Sequence, residues 1–216
     1  MSGQVNFKWF GHSCFKIWTD KASIITDPFD SSVGYALPTC DSDIITVSHD
    51  HFDHNNVACI RGNPRVLKKG EKNVKGIDFR VIETWHDEAD GSKRGRNNVF
   101  AWSMENIKIA HLGDLGHVLI EGQSEKIGQT DVLLIPVGGF YTVGPKEADS
   151  IISQLKPKVV IPMHYKTEVM GQNFPIVNLS EFLANKKNVV TTGKNLVGFE
   201  KDKLPSDTTI YVLEYR

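Results

Sequence analysis

The stretch Ser48-His49-Asp50-His51-Phe52-Asp53-His54 directly follows the apolar run Ile44-Ile45-Thr46-Val47. It holds three histidines and two aspartates, a density of metal-binding groups that is hard to explain as surface decoration. In an extended segment, side chains two positions apart face the same way, so His49 and His51 can direct ring nitrogens to one point. Asp53 comes two positions after His51 and therefore faces the same side. The pattern therefore predicts a metal site directly after a buried strand.

A second metal site is predicted from the end of the same loop. His54 lies where the chain turns into a short helix that we predict over residues 55–61, before Gly62-Asn63-Pro64 ends it. Asp53 and His54 can therefore bind a second metal ion a few ångströms from the first site. The order of a strand, the ligand loop and a helix predicts a βα unit. Its short loop would supply the first ligands of both metal sites.

Length and composition favour one domain over residues 1–216. The 216 residues are 40% hydrophobic and 24% charged, with a formal net charge of −1, which gives no general attraction to nucleic acid or anionic membranes. With neither a secretory leader nor an apolar run approaching about 18 residues, a soluble cytoplasmic protein is expected. Cys14, Cys40 and Cys59 are odd in number and form no Cys-x-x-Cys pair, which argues against disulfides and a thiolate zinc site.

Short runs rich in β-branched and aromatic residues predict strands in the first half, and strands alternate with helices afterwards. Gly11 and Asp20-Lys21 separate the first three runs, which favours an antiparallel meander. We therefore predict a layered α/β (α+β) fold with helices outside a central β core. The predicted strands are 5–9, 13–18, 23–26, 44–47, 66–67, 76–83, 99–104, 107–110, 132–136, 159–162 and 208–213. Besides 55–61, the predicted helices are 118–126, 146–155 and 179–185.

Three further candidate ligands each follow a predicted strand: His86, Asp114 and His164. Zinc in proteins is usually held by about four ligands, so two ions would need these residues as well as the histidine loop. His111, which precedes Asp114 in the same segment, is an alternative to His86. We assign His49, His51 and His86 to the first site, Asp53, His54 and His164 to the second, and Asp114 to a bridge between them.

Other residues have two interpretations each. Asp27, at the end of a strand and before Pro28, either orients a metal-bound histidine or only starts a turn. His12 either reaches the site mouth, to contact substrate or to support a metal ligand, or belongs to a structural turn. The basic residues Lys93, Arg94 and Arg96 form either a phosphate or carboxylate site beside the metals or a solvated loop tip.

Seven motifs occur in the order seen in the metallo-β-lactamase superfamily, which this sequence resembles over about residues 5–168. The chain looks most like a branch of small metal-dependent hydrolases similar to the L-ascorbate-6-phosphate lactonase. The resemblance implies a four-layer αββα sandwich and a dinuclear centre, with the family's ligands on His49, His51, Asp53, His54, His86, Asp114 and His164. The motifs are GHSCF, TDP, SHDHFDH, TWHDE, HLGDLGH, LIPVGGFYTVGPKEA and VVIPMHYKT.

The resemblance also implies hydrolysis with two divalent ions. The second histidine of the loop stands where electron-transferring iron relatives have Glu, which favours zinc or manganese. Two such ions would activate a bridging water against a carbonyl or phosphoryl centre. Asp53 would ligate the second ion and orient the hydroxide or accept its proton. His164, Tyr165 or His12 would add a hydrogen bond to the developing oxyanion.

The leading functional hypothesis is a hydrolase that opens an ester, lactone or phosphoester of a small metabolite, with phosphorylated metabolites among the candidates. A second hypothesis is a phosphodiesterase acting on a nucleotide, nucleic acid or phospholipid head group. A third is a non-catalytic metal-binding protein, which predicts a missing ligand, and none is missing.

Overall fold

The computed structural model describes residues 3–70, 73–171 and 174–215. Fifteen strands and three short α-helices are found in these ranges. The strands are β1 Gln4–Gly11, β2 Cys14–Trp18, β3 Ser23–Thr26, β4 Ile44–Thr46, β5 Arg65–Leu67, β6 Asn73–Val74, β7 Ile77–Asp78, β8 Arg80–Trp85, β9 Arg96–Met104, β10 Ile107–His111, β11 Val132–Pro136, β12 Val159–Met163, β13 Val189–Thr191, β14 Leu196–Glu200 and β15 Thr209–Val212. The helices are α1 Gln123–Ile127, α2 Pro145–Leu155 and α3 Leu179–Leu183.

The first of two large sheets has the strand order β14-β1-β2-β3-β4-β5. Its β1, β2 and β3 form the predicted antiparallel meander, and β3, β4 and β5 run parallel. Alternate residues of these strands face opposite sides. Ile24 and Ile44 join the main core, whereas Ile25 and Ile45 join a second apolar cluster. Strands β3 and β4 of the first sheet are therefore buried on both faces.

The second sheet has the order β13-β15-β12-β11-β10-β9-β8. Strands β8, β9 and β10 are antiparallel, and the others are parallel. Every residue of β11 and β12 is buried, as expected for parallel strands covered on both faces. Helix α1 contacts β8 and β9, and α2 contacts α3. Two sheets with few helices confirm the predicted mixed α/β class.

The predicted helix over 55–61 is wrong, and so is the βα unit built on it. Only a single 3₁₀ turn forms there, Val57–Cys59. The backbone N–H of Asn56 donates to the Pro28 carbonyl at 2.8 Å, and that of Arg61 donates to the Cys40 carbonyl at 2.9 Å. These bonds to distant segments replace the i to i−4 bonds of a helix.

Other differences lie at ends and edges. The helix predicted over 118–126 begins only at Gln123, because Gly122 has φ +82° and cannot continue a right-handed helix. Strands β6, β13 and β14 were not predicted, since they are short or half-exposed and lack an apolar pattern. No helix in the described ranges is both long and apolar enough to cross a bilayer.

The topology brings the carboxyl ends of strands from both sheets to one edge. In the first sheet β3 and β4 are parallel neighbours, so the residues after them lie together. In the second sheet β8, β10, β11 and β12 run in one direction, because β9 is antiparallel to both β8 and β10. Loops after these strands carry most of the candidate ligands, which places the site where the two sheets meet.

Candidate metal centre

Asp114 lies at the centre of the histidine cluster, and its side chain is almost fully buried. Its Oδ2 atom is 3.2 Å from His54 Nε2, 3.3 Å from His86 Nε2 and 3.2 Å from His164 Nε2. His54 comes from the first sheet, and His86 and His164 come from the second. One carboxylate thus contacts histidines from loops that are far apart in sequence.

Two groups of potential ligand atoms flank Asp114, and within each group the atoms lie within 4.8 Å of one another. In the first, His49 Nε2 is 3.0 Å from His51 Nδ1. In the second, His54 Nε2 is 3.7 Å from Asp53 Oδ2. The first group is His49, His51 and His86, and the second is Asp53, His54, His164 and, in addition, His12. The structure therefore brings together all seven residues that the sequence suggested.

Asp27 orients one histidine of each group. Its Oδ2 accepts a hydrogen bond from His54 Nδ1 at 2.9 Å and another from Ser48 Oγ at 2.6 Å. The Ser48 hydroxyl in turn accepts from His49 Nδ1 at 2.9 Å. With both Nδ1 atoms donating, the Nε2 atoms of His49 and His54 are free to bind a metal. Burial raises the pKa of Asp27, but the hydrogen bond and charge of His54 outweigh it and lower that pKa.

The backbone positions two further residues of the centre, His86 and Asp114. His86 Nδ1 donates to the Tyr141 carbonyl at 3.0 Å, which directs its Nε2 towards Asp114. Gly113 has φ +55°, and a Cβ there would lie 2.5 Å from the Ser48 Cβ. Only glycine fits this close approach, so Gly113 lets the loop that carries Asp114 pack against the histidine loop.

His12 lies behind Asp53 rather than at the mouth of the site, and it is fully buried. Its Nε2 is 3.1 Å from Asp53 Oδ2. Burial, and to a smaller extent the electrostatic interaction with His164, lower the pKa of His12 to about 4, so its ring is neutral and Nε2 donates to Asp53. In the amino-acid sequence, His12 is recognisable only as a histidine near the end of a strand, and nothing marks Asp53 as its partner.

Strained backbone is concentrated in this region. His12, Asp27 and His164 have φ values of +51°, +39° and +50°, a region that residues other than glycine seldom adopt. Such strain persists where the surrounding contacts over-determine a conformation, and it is common at functional sites.

Several candidates lie outside the cluster. His111 Nε2 donates to the Ser13 carbonyl at 2.9 Å, and its Nδ1 accepts from the Gly113 N–H, so it does not replace His86. The Tyr165 ring is buried against Trp9, with 5.4 Å between ring centres, and does not line the pocket over the cluster.

The three basic residues of the loop after His86 have different surroundings. Lys93 pairs with Glu88, and Arg96 pairs with Glu83 at 3.3 Å. Arg94 alone of the three lines the pocket over the cluster.

The cluster fits divalent metal ions on three observations. Its atoms are imidazole nitrogens and carboxylate oxygens, the donor set of zinc and manganese, and no cysteine joins it in the described ranges. His54 Nε2 and Asp114 Oδ1 are buried without a hydrogen-bond partner there, which a bound cation would supply. Burial lowers the pKa of His54, but the carboxylates of Asp114 and Asp53 outweigh it and raise that pKa well above its usual value. The site thus attracts positive charge.

Replacing Asp27 by Asn should weaken both metal groups together. The Asp27 carboxylate accepts from His54 Nδ1 and Ser48 Oγ at Oδ2 and from the Ser48 backbone N–H at Oδ1, 2.8 Å away. An amide replaces one of these oxygens by an NH₂ donor, so the bonds that orient His54 and His49 cannot all form. We expect a roughly 10- to 100-fold loss of metal affinity, the usual effect of such changes. Competition titration with a chromogenic chelator measures it. Asp30→Asn is the matched control, because the Asp30 side chain lies in the same loop and bonds only to Ser32 among the residues that the structure describes. Unchanged affinity in Asp27→Asn would contradict the role.

Comparison with known proteins agrees with this geometry. A family model described as the beta-lactamase superfamily domain matches residues 6–164. UPF0173 metal-dependent hydrolases of Pyrococcus abyssi and Thermococcus onnurineus are 32% and 30% identical over 194 and 192 residues, which cover 76% of this chain and 85% of each relative. A crystal structure from Thermotoga maritima, described as a candidate Zn-dependent hydrolase of the metallo-beta-lactamase superfamily, is 39% identical. It covers 97% of this chain and 98% of that one, with a TM-score of 0.81.

The match of the family model covers most of the chain, and the sandwich of two sheets agrees with the relatives' fold. The relatives named as metal-dependent hydrolases align over most of their own length. The chain therefore belongs to the metallo-β-lactamase superfamily and is a metal-dependent hydrolase.

Proposed function

We propose that the protein hydrolyses an ester, lactone or phosphoester of a small molecule with a dinuclear metal centre. The observation that carries this proposal is the meeting of two ligand groups at one carboxylate. His49, His51 and His86 would hold one ion, Asp53, His54 and His164 the other, and Asp114 would bridge them. A single structural ion would require only one of these groups.

The space above the cluster supports a small substrate. The pocket has a volume of about 380 Å³, at the lower end of the range for small-molecule sites. Its wall combines polar cluster residues with the apolar side chains of Phe52, Tyr141 and Phe174. A metabolite fits such a pocket, whereas a long polymer would have to contact surfaces outside it.

When bound, two divalent cations supply a water of lowered pKa and polarise the oxygen of the scissile group. Asp53 Oδ2 accepts a hydrogen bond from His12, which fixes the carboxylate towards the pocket. Burial raises the pKa of Asp53, but the charge of His54 and the His12 hydrogen bond outweigh it and lower that pKa. Asp53 therefore stays ionised and orients the attacking water by accepting a hydrogen bond. His164, whose Nε2 lies 3.2 Å from Asp114 Oδ2, would help to hold the second cation.

Zinc is the metal that we propose, with manganese as the alternative. The second histidine of the metal-binding loop stands where electron-transferring iron relatives have Glu, which favours these two metals over iron. The resemblance of the sequence motifs to the ascorbate-6-phosphate lactonase branch supports a carboxylic ester or lactone as the substrate. A phosphodiester is the competing substrate class, since the same centre can polarise a phosphoryl oxygen.

Metal analysis combined with a substrate panel tests the proposal. We expect about two equivalents of zinc or manganese per chain in the purified protein, as a dinuclear centre requires. Turnover of carboxylic esters or lactones should be lost after chelation and restored by the metal. Hydrolysis of bis(p-nitrophenyl) phosphate without lactone or ester turnover would instead favour the phosphodiesterase. One equivalent of metal and no turnover of any substrate would overturn the proposal.

A further inference from the structure

Arg94 is the one lysine or arginine on the wall of the metal pocket, among the described residues that line it. Its neighbours in the loop, Lys93 and Arg96, are paired with glutamates. Arg94 forms no ion pair or side-chain hydrogen bond with the described part of the chain; its one hydrogen bond there is from the backbone N–H. Its five guanidinium N–H donors therefore remain for a ligand.

Two aromatic rings hold the guanidinium in place. Its central carbon lies 4.5 Å from the ring centre of Tyr141 and 5.7 Å from that of Phe140. A cation over an aromatic face is favoured electrostatically. Because no acidic partner is involved, the positive charge is positioned but not neutralised. Phe140 has φ +59°, so the backbone is strained where it presents these rings.

The loop that carries Arg94 is fixed by the buried carboxylate of Asp87. Its two oxygens accept four backbone hydrogen bonds of 2.7 to 3.0 Å from the N–H groups of Ala89, Gly91, Lys93 and Arg94. The loop also returns to the metal ligand, since the His86 N–H donates to the Gly95 carbonyl at 3.0 Å. Arg94 is thus held on a rigid turn directly after His86.

The aromatic support is tied to the same histidine. Tyr141, whose ring lies under the guanidinium, accepts the His86 Nδ1 hydrogen bond through its carbonyl. The Arg94 loop and the Tyr141 ring that supports the guanidinium are therefore both anchored to His86. This fixes the position of Arg94 relative to the metal centre. Such pre-organisation lowers the entropy cost of binding.

The acidic groups of the pocket do not neutralise this charge. Asp53 and Asp114 belong to the metal cluster, where two divalent cations would offset them. Asp50, also on the pocket wall, pairs with Lys68 and accepts a hydrogen bond from Asn55 at 2.8 Å. Among the described residues that line the pocket, Arg94 is therefore the positively charged side chain that is left to bind a ligand.

We propose that Arg94 binds an anionic group of the substrate, a carboxylate or phosphate that is separate from the bond being cleaved. The substrate class is then an ester or lactone with an anionic end, whose body packs on Phe52 and Phe174. This inference rests on the proposed function. Arginine suits the task because its planar fork binds either anion through two hydrogen bonds.

Matched substrates and a matched variant test the subsite. The zinc-loaded wild type, Arg94→Gln and Arg96→Gln are compared on three esters: p-nitrophenyl hydrogen glutarate, its neutral methyl ester and p-nitrophenyl 4-phosphonobutyrate. Arg94→Gln should lower kcat/KM about 10- to 100-fold for an anionic ester and less than about 3-fold for the neutral one, because one charged hydrogen-bond partner is lost. Arg96→Gln should change neither. The anionic ester with the larger loss identifies the preferred anion.

A binding measurement separates this inference from the hydrolase proposal. Calorimetry records the binding of glutarate and of inorganic phosphate to the same zinc-loaded proteins. If no ester is cleaved, weaker anion binding in Arg94→Gln but not in Arg96→Gln would still support the subsite, while the proposal of a carboxylic ester or lactone as the substrate would fail. Equal losses for anionic and neutral esters, or unchanged anion binding in Arg94→Gln, would overturn the subsite.

Discussion

Replacing Asp114 by Asn is expected to release both metal ions and to abolish turnover. The carboxylate is within 3.3 Å of three histidines and would be the only group shared by both ions. Asn keeps the volume and the backbone bond to Asn97 but removes the negative charge that both cations need. The loss in kcat/KM should exceed the roughly 100-fold that changes outside the ligand set cause. Metal content per chain and steady-state kinetics measure the two effects.

A control is needed because Asp114 is buried. Asp131 is also a buried aspartate, but it lies at the other end of the second sheet and pairs with Lys201 at 2.6 Å. Asp131→Asn should lower the free energy of unfolding and keep both ions. If Asp114→Asn retained two ions and full turnover, the bridging role would be refuted.

Asp53→Ala should remove the second ion selectively and leave the protein inactive. Its Oδ2 lies 3.7 Å from His54 Nε2, and His12 holds it in place. Alanine also removes the acceptor that would orient the attacking water. We expect about one ion per chain and a loss of turnover of at least 100-fold, since an activated water is central to two-metal hydrolysis. Metal analysis after gel filtration, together with ester turnover, gives both numbers.

Asp50→Ala is the matched control for metal content. Asp50 lies in the same loop, but it is exposed and pairs with Lys68 rather than with the histidine cluster. This variant should keep both ions. Full turnover in Asp53→Ala would show that the second ion or its carboxylate is not required.

The sequence predicted most of the strands and the convergence of the seven residues. Buried strands such as β11 stand out as continuous apolar runs, and polar residues directly after such runs point to a sheet edge. Residues 23–26 and 132–136 have the predicted strand bounds. His86, Asp114 and His164 could be found because each comes shortly after a predicted strand.

Long-range contacts explain what the sequence did not predict. The helix over 55–61 was lost to backbone bonds with Pro28 and Cys40, which no local pattern reveals. Ser48 and the Tyr141 carbonyl orient histidines, but a hydroxyl and a peptide oxygen leave no sequence signal. The burial of His12 behind Asp53 likewise depends on packing between segments about forty residues apart.

The junction of the two sheets has a consequence for unfolding. Each proposed ion would take ligands from the loops of both sheets, with His49 and His86 at one ion and His54 and His164 at the other. Binding would then act as a cross-link between the layers, and the unfolded chain cannot offer this arrangement. Metal affinity would therefore contribute directly to the resistance of the sandwich to heat, and thermal melting would report how fully the ions are loaded.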